Sequence, residues 1–345
     1  MSSLLKLIPS EIEWMRLAEV PTHCSREDRL LPLLLAGKAA PKLFVKRDDL
    51  TGLVTTGNKI RKLNYLVAQA LSEGADTLIT CGGLQSNHAR ATAAVAAMRG
   101  LSATLFLRAD QPPKTVTGNW LLARILGADV RLLSTAEYAQ KEEIMQRTRL
   151  DLANQGRRAY VIPEGGSNGL GCLGYIRCVG ELLTQLPRPE RPTTLICAVG
   201  SAGTLVGLAL GIALADVPWR VVGIPVCENR AFFQPRAEDI LRQALVLLKR
   251  PEMFDKARTV FDLCDGYVGR GYGQSTETEL RLIATVAKTS GLLLDPVYTA
   301  KAFAGLLGEL RKDSDVFGPR VVFIHTGGLF GLFPHGDELA ALMPS

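Results

Sequence analysis

The sequence predicts an α/β protein in which parallel sheets carry helices on both faces. Short runs rich in apolar and β-branched residues alternate with longer helical patterns almost throughout the chain, as repeated strand–helix units do. Several of the short runs are continuously apolar, which is typical of strands that are covered on both faces. The length of 345 residues exceeds the usual size of one hydrophobic core, so we expect two lobes.

The predicted strands are short and are bounded by turn residues. They span residues 43–46, 77–80, 104–108, 129–133, 159–162, 194–199, 221–226 and 321–325. Apolar residues recur at three- and four-residue spacing between Leu63 and Leu71, which predicts an amphipathic helix. Residues 91–98 and 205–213 are rich in small side chains, so we expect two further helices that pack closely on a sheet.

One segment has the composition of a connector. Residues 186–192 contain Pro187, Pro189 and Pro192, and the residue before a proline favours an extended backbone. On this pattern alone, the chain would divide near the connector into an N-terminal and a C-terminal lobe.

Composition narrows the class of protein and its surroundings. The hydrophobic fraction of 47% and the charged fraction of 21% are ordinary for a globular protein. No apolar run approaches the roughly 20 residues that a membrane span requires. Glu11, Glu13 and Arg16 interrupt the N-terminal apolar residues, which does not match a secretory signal. We therefore expect a cytoplasmic protein that does not contact a membrane.

Metal and nucleic-acid sites find little support in the residue pattern. The seven cysteines are scattered and never spaced C-x-x-C, and the four histidines are not paired at helical spacing. We therefore expect no metal site. Basic residues are interspersed with acidic ones despite the net charge of +6, which favours attraction of small anions over binding of nucleic acid.

The most informative residue is Lys59, in the run Thr56-Gly57-Asn58-Lys59-Ile60. A lysine at the point where a tight turn opens a helix is well placed to hold an aldehyde cofactor as a Schiff base. We expect Asn58 or Thr56 to cap a helix that starts near Ile60, and partial burial to lower the pKa of the lysine. Taken alone, a solvated lysine in a first helical turn is the commoner outcome.

A polar turn, Gln85-Ser86-Asn87-His88, follows the second predicted strand. Ligands collect at the carboxyl ends of parallel strands, and the N–H groups of a helix N-terminus suit a substrate carboxylate. Ser86 can relay a proton, and Asn87 can donate a hydrogen bond. A simple helix-capping cluster explains the same residues equally well.

A glycine-rich turn, Gly200-Ser201-Ala202-Gly203-Thr204, follows an apolar strand. It matches neither a P-loop nor a dinucleotide fingerprint, but its backbone amides and two hydroxyl groups can wrap one terminal phosphate. A turn with a purely conformational role is the alternative. A reactive lysine, a polar clamp and a phosphate cradle together suggest pyridoxal phosphate as the cofactor.

The C-terminal part of the chain adds further candidates. Tyr298 is suited to proton transfer or to packing on a ring, and Thr299 or Thr326 can face a cofactor nitrogen. Tyr272 lies between two glycines, in a flexible aromatic loop. Taken singly, such residues are more often core tyrosines and turn threonines.

Taken together and in this order, these segments resemble the family of D-cysteine desulfhydrase and 1-aminocyclopropane-1-carboxylate deaminase. The matching runs are Lys46-Arg47-Asp48-Asp49-Leu50, Gly57-Asn58-Lys59 with Arg61-Lys62-Leu63, Gln85-Ser86-Asn87-His88, Gly165-Gly166-Ser167-Asn168, Gly200-Ser201-Ala202-Gly203-Thr204, Asp295-Pro296-Val297-Tyr298 and His325-Thr326-Gly327-Gly328. The resemblance extends from about residue 15 to about residue 335. Because the combination is far more specific than any single run, it outweighs the alternatives given above.

The resemblance implies a fold like that of tryptophan synthase β (fold type II of pyridoxal-phosphate enzymes), with two open, twisted, mostly parallel sheets. It also implies a homodimer that acts on a small amino acid substrate and carries pyridoxal phosphate on Lys59. Residues 1–60 and 174–345 are expected to form a large cofactor-binding domain. Residues 61–173 are expected to form a small inserted domain, in place of a division at the connector.

The resemblance further implies how the cofactor is held. Lys62 and the turn of residues 200–204 are expected to bind the phosphate. Asn87 is expected to meet the phenolic oxygen, and Thr299 or Thr326 the ring nitrogen. Cofactor-binding residues are thus expected to be Lys59, Lys62, Asn87, Gly200, Ser201, Ala202, Gly203, Thr204, Thr299 and Thr326.

Catalytic and substrate-binding roles follow in the same way. Lys59 is expected to remove the α-proton, with Tyr298, Tyr272 and Ser86 as assisting residues. The substrate carboxylate is expected to lie on the turn of residues 86–88. Substrate-binding residues are thus expected to be Ser86, Asn87, His88, Tyr272 and Tyr298.

Two threonines favour the desulfhydrase branch of the family. Deaminases of the family carry glutamate directly after the residue equivalent to Tyr298, and leucine at position 326, whereas this chain has Thr299 and Thr326. A carboxylate against the pyridine nitrogen would keep it protonated and strengthen the electron sink, and expelling sulfide needs a weaker sink than opening a cyclopropane. We therefore predict α,β-elimination of D-cysteine to pyruvate, hydrogen sulfide and ammonia.

Arg270 keeps an alternative open. Near the substrate its charge would favour a sulfonate leaving group, as in L-cysteate sulfo-lyase, whereas a solvent-facing arginine would have no such role. Deamination of 1-aminocyclopropane-1-carboxylate is less favoured, and a cofactor-binding protein without turnover is least favoured. The sequence does not decide which threonine meets the ring nitrogen.

Overall fold

A computed structural model describes residues 3–113 and 115–342 of the chain. The strands are β1 Cys24–Glu27, β2 Lys42–Lys46, β3 Thr77–Gly83, β4 Ser102–Arg108, β5 Asp129–Leu133, β6 Ala159–Val161, β7 Thr193–Val199, β8 Trp219–Pro225, β9 Phe261–Leu263 and β10 Arg320–Ile324. The α-helices are α1 Leu30–Leu34, α2 Lys59–Ser72, α3 Asn87–Arg99, α4 Gly118–Ile125, α5 Thr135–Tyr138, α6 Lys141–Asn154, α7 Gly169–Gln185, α8 Gly203–Ala215, α9 Arg230–Leu247, α10 Phe254–Val260, α11 Glu277–Ser290, α12 Thr299–Lys312 and α13 Gly336–Ala340.

Two sheets organise these elements. The larger sheet has the strand order β1-β2-β10-β7-β8-β9, and all its neighbouring strands are parallel except β1 and β2. The smaller sheet has the order β5-β4-β3-β6 and is parallel throughout. The predicted α/β class with two mostly parallel sheets is confirmed.

The larger sheet draws its strands from both ends of the chain. β2 pairs with β10, whereas the smaller sheet is formed within residues 77–161. A single division of the chain near residues 186–192 is therefore wrong. The boundaries expected after residues 60 and 173 fall inside α2 and α7, which pack against each other. Gly174 permits their close approach, because any Cβ at this position would clash with the carbonyl oxygen of Arg61. Those two boundaries remain predictions.

All eight predicted strands are present in the structure, and none of their ends differs from its predicted position by more than three residues. The three predicted helices are also present, as parts of α2, α3 and α8. Two strands were missed, β1 and β9, which form the two edges of the larger sheet. Both are short and carry charged residues, so they lack the continuous apolar run that marks a central strand.

The hydrophobic core lies on both faces of the larger sheet. Along β7, Leu195, Cys197 and Val199 pack into one apolar cluster with residues of α7 and α8. Ile196 and Ala198 pack into a second cluster with residues of α11 and α12. This alternation is that of a strand buried on both faces. Within the described residues, no helix is both long enough and apolar enough to span a bilayer.

Candidate active site

A cleft lies where the carboxyl ends of β3, β7 and β10 approach the start of α2. Ligands of open α/β sheets bind at such strand ends. Its lining residues are Asn58, Lys59, Asn87, Ala198, Gly200, Ser201, Ala202, Thr204, Leu205, Tyr298 and Thr326. The predicted site residues that line the cleft are Lys59, Asn87, Gly200, Ser201, Ala202, Thr204, Tyr298 and Thr326. Lys62, Ser86, His88, Gly203, Tyr272 and Thr299 lie behind or beside these walls.

Lys59 is the first residue of α2, and its side chain is only 8% exposed. The turn before it is fixed on the end of β10, because the backbone N–H of Asn58 donates to the Thr326 carbonyl oxygen at 3.1 Å. Gly57 has a φ of 105°, and a Cβ there would lie 2.9 Å from the same oxygen. Only glycine suits this close approach with a left-handed backbone.

Burial lowers the pKa of Lys59 to about 8, although the carboxylate of Glu164 acts in the opposite direction. A substantial fraction of the side chain is then the neutral amine near physiological pH. Since only the neutral amine attacks an aldehyde, the cleft prepares Lys59 for Schiff-base chemistry.

The predicted capping of α2 by Asn58 or Thr56 is wrong. Asn58 occupies the N-cap position without a capping bond, and its Nδ2 donates to Thr204 Oγ1 at 3.0 Å. The hydroxyl of Thr56 donates to the carbonyl oxygen of Asp49. Asn58 therefore ties the turn that carries Lys59 to the glycine-rich turn across the cleft.

The glycine-rich turn forms the floor of the cleft and leads into α8. A Cβ at Gly200 would lie 2.9 Å from the ring of Tyr298, and one at Gly203 would lie 2.6 Å from Ser167 Oγ. Ala202 has a left-handed φ of 61°. Positions 200 and 203 thus have no room for a side chain, and the backbone amides of the turn open at a helix N-terminus, an arrangement that fits a phosphate.

Lys62 lies one turn beyond Lys59 and is 1% exposed. Its Nζ donates to Ser167 Oγ at 2.7 Å and to the Gly165 carbonyl oxygen at 3.2 Å. Burial, and then the charge of Lys59, hold the pKa of Lys62 well below its ordinary value. The Ser167 hydroxyl is 2.8 Å from that of Ser201, so a polar chain runs from Lys62 to the floor of the cleft. Phosphate binding by Lys62 remains a prediction.

The polar turn after β3 serves both as a cap and as a wall. Ser86 is the N-cap of α3 and accepts a hydrogen bond from the backbone N–H of Ala89 at 3.2 Å. Asn87 lines the cleft, and its Oδ1 accepts from Asn119 at 2.9 Å. The Nδ2 of Asn87 is therefore the end of the amide that can donate to a cofactor oxygen.

His88 points away from the cleft. Its side chain is 2% exposed, and its Nε2 lies 2.9 Å from Thr80 Oγ1, which itself donates to the Ile162 carbonyl oxygen. Burial holds the pKa of His88 well below its ordinary value, so the ring is neutral. A substrate contact at this position would involve its backbone N–H, and the predicted role of His88 stays a prediction.

Two tyrosines meet at the edge of the cleft. The hydroxyl groups of Tyr298 and Tyr272 are 2.7 Å apart, and the rings pack edge to face with centroids 5.9 Å apart. Burial raises the pKa of Tyr272 to about 12 and that of Tyr298 well above its ordinary value. Both phenols therefore keep their protons at neutral pH and can act as hydrogen-bond donors.

Asp295 orients the residues that follow it, a role that the sequence pattern did not reveal. The buried carboxylate accepts hydrogen bonds from the backbone N–H groups of Val297, Tyr298 and Thr299, at 2.7–3.0 Å. It also accepts one from the Thr299 hydroxyl, at 2.7 Å. Thr299 is thus engaged with Asp295, whereas Thr326 lines the cleft.

Other expectations differ in their outcome. Arg270 is exposed and does not line the cleft. Ser167 and Asn119 hold cleft-lining residues in place, and neither was singled out from the sequence, although Ser167 lies in one of the runs that carry the resemblance. Within residues 3–113 and 115–342, no group of three or more metal-ligating side chains comes together.

The comparison with known proteins agrees with this geometry. The profile of a family described as pyridoxal-phosphate dependent enzyme matches residues 17–327. The fold and the site therefore define an enzyme that depends on pyridoxal phosphate, and the predicted cofactor is confirmed.

Relatives place the chain more narrowly. A Thermotoga maritima protein provisionally named 1-aminocyclopropane-1-carboxylate deaminase is 44% identical over 88% of this chain and 94% of its own length. An Arabidopsis thaliana protein, named bifunctional D-cysteine desulfhydrase/1-aminocyclopropane-1-carboxylate deaminase, mitochondrial, is 38% identical over 99% of this chain and 84% of its own. A crystal structure described as an ACC deaminase homologue superposes with a TM-score of 0.86, at 36% identity and 99% coverage of both chains. The chain belongs to the lyase family of these deaminases and desulfhydrases.

Proposed function

We propose that the enzyme catalyses the α,β-elimination of D-cysteine to pyruvate, hydrogen sulfide and ammonia. The observation that carries the proposal is the polar group at the end of β10. Thr326 lines the cleft there, and none of the lining residues within the described chain is a carboxylate. A hydroxyl against the ring nitrogen would not hold it protonated as a carboxylate would. This favours expulsion of a good leaving group such as sulfide over opening of a carbon ring.

The cofactor, when bound, supplies an electron-withdrawing ring conjugated to the substrate nitrogen. The residues that would hold it are Lys59, Lys62, Asn87, Thr204 and Thr326, together with the backbone amides of the glycine-rich turn. The fit rests on the Nδ2 of Asn87, whose Oδ1 is already bonded to Asn119, on a turn with no room for side chains at positions 200 and 203, and on a lysine with a lowered pKa.

Lys59 then has two tasks. Its Nζ would hold the cofactor in the resting enzyme, and as a free amine, whose pKa burial lowers to about 8 in the cofactor-free protein, it would accept the α-proton of a bound substrate. The N–H groups at the start of α3 orient the substrate carboxylate. Ser86 is a second group near this position that can pass on a proton.

The tyrosine pair serves the leaving group. Tyr298 lines the cleft, and Tyr272 holds its hydroxyl at 2.7 Å. Both phenols are protonated at neutral pH. Tyr298 can therefore donate a hydrogen bond to the departing sulfur, while the hydroxyl of Tyr272 donates to that of Tyr298.

The names of the relatives support a second candidate, deamination of 1-aminocyclopropane-1-carboxylate. The Thermotoga protein is named for this activity and the Arabidopsis protein for both activities. L-Cysteate cleavage has less support than the sequence suggested, because Arg270 is exposed. We also propose that the enzyme works in the cytoplasm and that it is a homodimer. Light scattering would show the dimer as twice the chain mass of 37.3 kDa.

The test offers cofactor-loaded enzyme D-cysteine, L-cysteine, L-cysteate and 1-aminocyclopropane-1-carboxylate in parallel. We expect equal amounts of pyruvate and sulfide from D-cysteine, at a rate at least about 100-fold above that of the other three, the discrimination that a few misplaced contacts produce. Formation of 2-oxobutanoate from the cyclopropane substrate without sulfide from D-cysteine would overturn the proposal in favour of the deaminase.

A double variant replaces both threonines with the residues that deaminases of the family carry. Thr299→Glu combined with Thr326→Leu should lower sulfide release about tenfold or more, because it changes the group that faces the ring nitrogen. Unchanged sulfide release in a folded, cofactor-loaded variant would show that these threonines do not set the reaction.

A further inference from the structure

The loop that carries Tyr272 has little structure of its own. Gly266, Gly269, Gly271 and Gly273 all have positive φ values, between 63° and 114°. The loop lies between β9 and α11 and forms neither helix nor strand. Its stem is held by Lys301, whose Nζ donates to the carbonyl oxygens of Val268 and Gly271 at 2.6 Å. These bonds fix the backbone of the loop but not the ring of Tyr272.

The ring of Tyr272 is held from the smaller sheet. Its Cε1 lies against Gly83, where an added Cβ would come within 2.8 Å of it. Gly83 ends β3, and its register partner on β4 is Arg108. The guanidinium of Arg108 lies 5.7 Å from the ring centroid of Tyr272 and 5.5 Å from that of Tyr138. Tyr272 therefore reaches across from the larger sheet onto a seat built from the ends of two strands of the smaller one.

Arg108 is half-buried between aromatic faces. Within the described residues its guanidinium makes no ion pair, and it lies over the rings of Tyr272 and Tyr138. A guanidinium over a ring face is attracted by the ring quadrupole, and the attraction strengthens as water is removed. Arg131 offers a contrast on the same sheet, since it lies 5.7 Å from the ring of Phe106 but is exposed and paired with Asp129.

We propose that Arg108 is a positioning residue that seats the ring of Tyr272 and thereby holds its hydroxyl on that of Tyr298. The contact joins the two sheets at the edge of the cleft, so the tyrosine pair is complete only when the loop of residues 266–273 lies on the smaller sheet. Arg108 does not line the cleft, so in this proposal it acts on catalysis by holding Tyr272. The inference rests on the proposed function for its kinetic readout and on geometry for its structural one.

Arg270 provides the structural readout. It is exposed on the same loop, two residues before Tyr272. Trypsin cleaves after arginine, so limited digestion of the cofactor-loaded enzyme measures opening of the loop as the rate of cleavage after Arg270. The masses of the fragments identify this cleavage site. In Arg108→Gln we expect cleavage there to accelerate about tenfold, the loss expected for a partly desolvated cation–π contact. Arg108→Lys, which keeps the cation, should stay within about threefold of the wild type. Arg131→Gln should not change it.

The kinetic readout uses D-cysteine. Arg108→Gln should lower kcat about tenfold with KM changed less than about twofold, because a proton donor is displaced while substrate contacts remain. Arg108→Lys should restore most of kcat. Gly83→Ala, which would place a methyl group against Cε1 of the Tyr272 ring, should accelerate cleavage after Arg270 and lower kcat in the same way.

Each departure from these results has a meaning. A raised KM at constant kcat in Arg108→Gln would overturn the inference in favour of a substrate contact. Unchanged cleavage after Arg270 would overturn it whatever the kinetics show, as would faster cleavage with unchanged kcat. If the wild type does not turn over D-cysteine, the proposed function fails, yet the digestion still decides whether Arg108 holds the loop.

Discussion

Lys59 and Arg61 lie two residues apart on α2 and are both buried, yet their surroundings shift their pKa values in opposite directions. Burial lowers the pKa of Lys59 to about 8. Burial opposes the charge of Arg61 too, but the carboxylates of Asp48 and Glu181 raise its pKa well above its ordinary value. The helix thus carries one cation that readily loses its proton and one that does not.

The difference lies in the partners. Arg61 makes paired hydrogen bonds to Asp48 at 2.8 Å and to Glu181 at 2.7 and 2.9 Å. Tyr175 and Lys46 complete this cluster with bonds of 2.6 Å to the same carboxylates. Lys59 has no carboxylate within bonding distance among the described residues. Burial alone therefore does not set the state of a charge: on α2 the cation without a carboxylate partner is prepared for chemistry, whereas the paired one serves structure.

Removing the unpaired cation should have the largest effect on function. In Lys59→Ala we expect turnover to fall by about 10³-fold or more, because one amine both holds the cofactor and moves the α-proton. The visible Schiff-base absorbance should disappear, while the urea denaturation midpoint of the cofactor-free protein should not fall, since no ion pair is lost. Lys59→Arg should be as inactive. A Lys59→Ala variant that kept its colour and turnover would remove Lys59 from the mechanism.

Removing the paired cation should affect folding instead. Arg61→Met leaves Asp48, which is fully buried, without its main partner. We expect the free energy of unfolding to fall by about 3–5 kcal/mol, the usual result of breaking a buried ion pair from one side, measured by urea denaturation. Arg16→Met is the matched control, because Arg16 pairs with Glu19 at the surface and its loss should cost less than about 1 kcal/mol. Equal losses in both variants would contradict the comparison.

The same contrast explains what the sequence could predict. Lys59 and the turn of residues 200–204 were recognisable because a glycine turn that opens a helix, or follows an apolar strand, is a local pattern. Arg61 and Asp48 lie within the runs that carry the resemblance, but nothing local separates a structural run from a catalytic one. The role of Arg61 depends on Glu181 as well, which is 120 residues further along the chain.

Two other contacts were hidden from the sequence, one of them local and the other between the two sheets. The sequence made Thr299 and Thr326 equally good candidates to meet the ring nitrogen. In the structure the hydroxyl of Thr299 is bonded to the carboxylate of Asp295 instead. Arg270 was a candidate because it neighbours the loop glycines, whereas the arginine that contacts Tyr272 is Arg108, at the end of a strand in the other sheet. A side chain's neighbours across sheets cannot be derived from spacing along the chain.

The smallest predicted effect concerns pH, and it tests the comparison without a mutation. Below its pKa of about 8, Lys59 is protonated and cannot attack an aldehyde. The rate at which cofactor-free enzyme forms the Schiff base with pyridoxal phosphate should therefore rise about tenfold per pH unit up to about pH 8 and then level off. Stopped-flow absorbance measures this rate. For an ordinary exposed lysine, this rate would keep rising to about pH 10.4. A plateau near that value would mean that burial does not lower the pKa of Lys59, and the contrast with Arg61 would then rest on ion pairing alone.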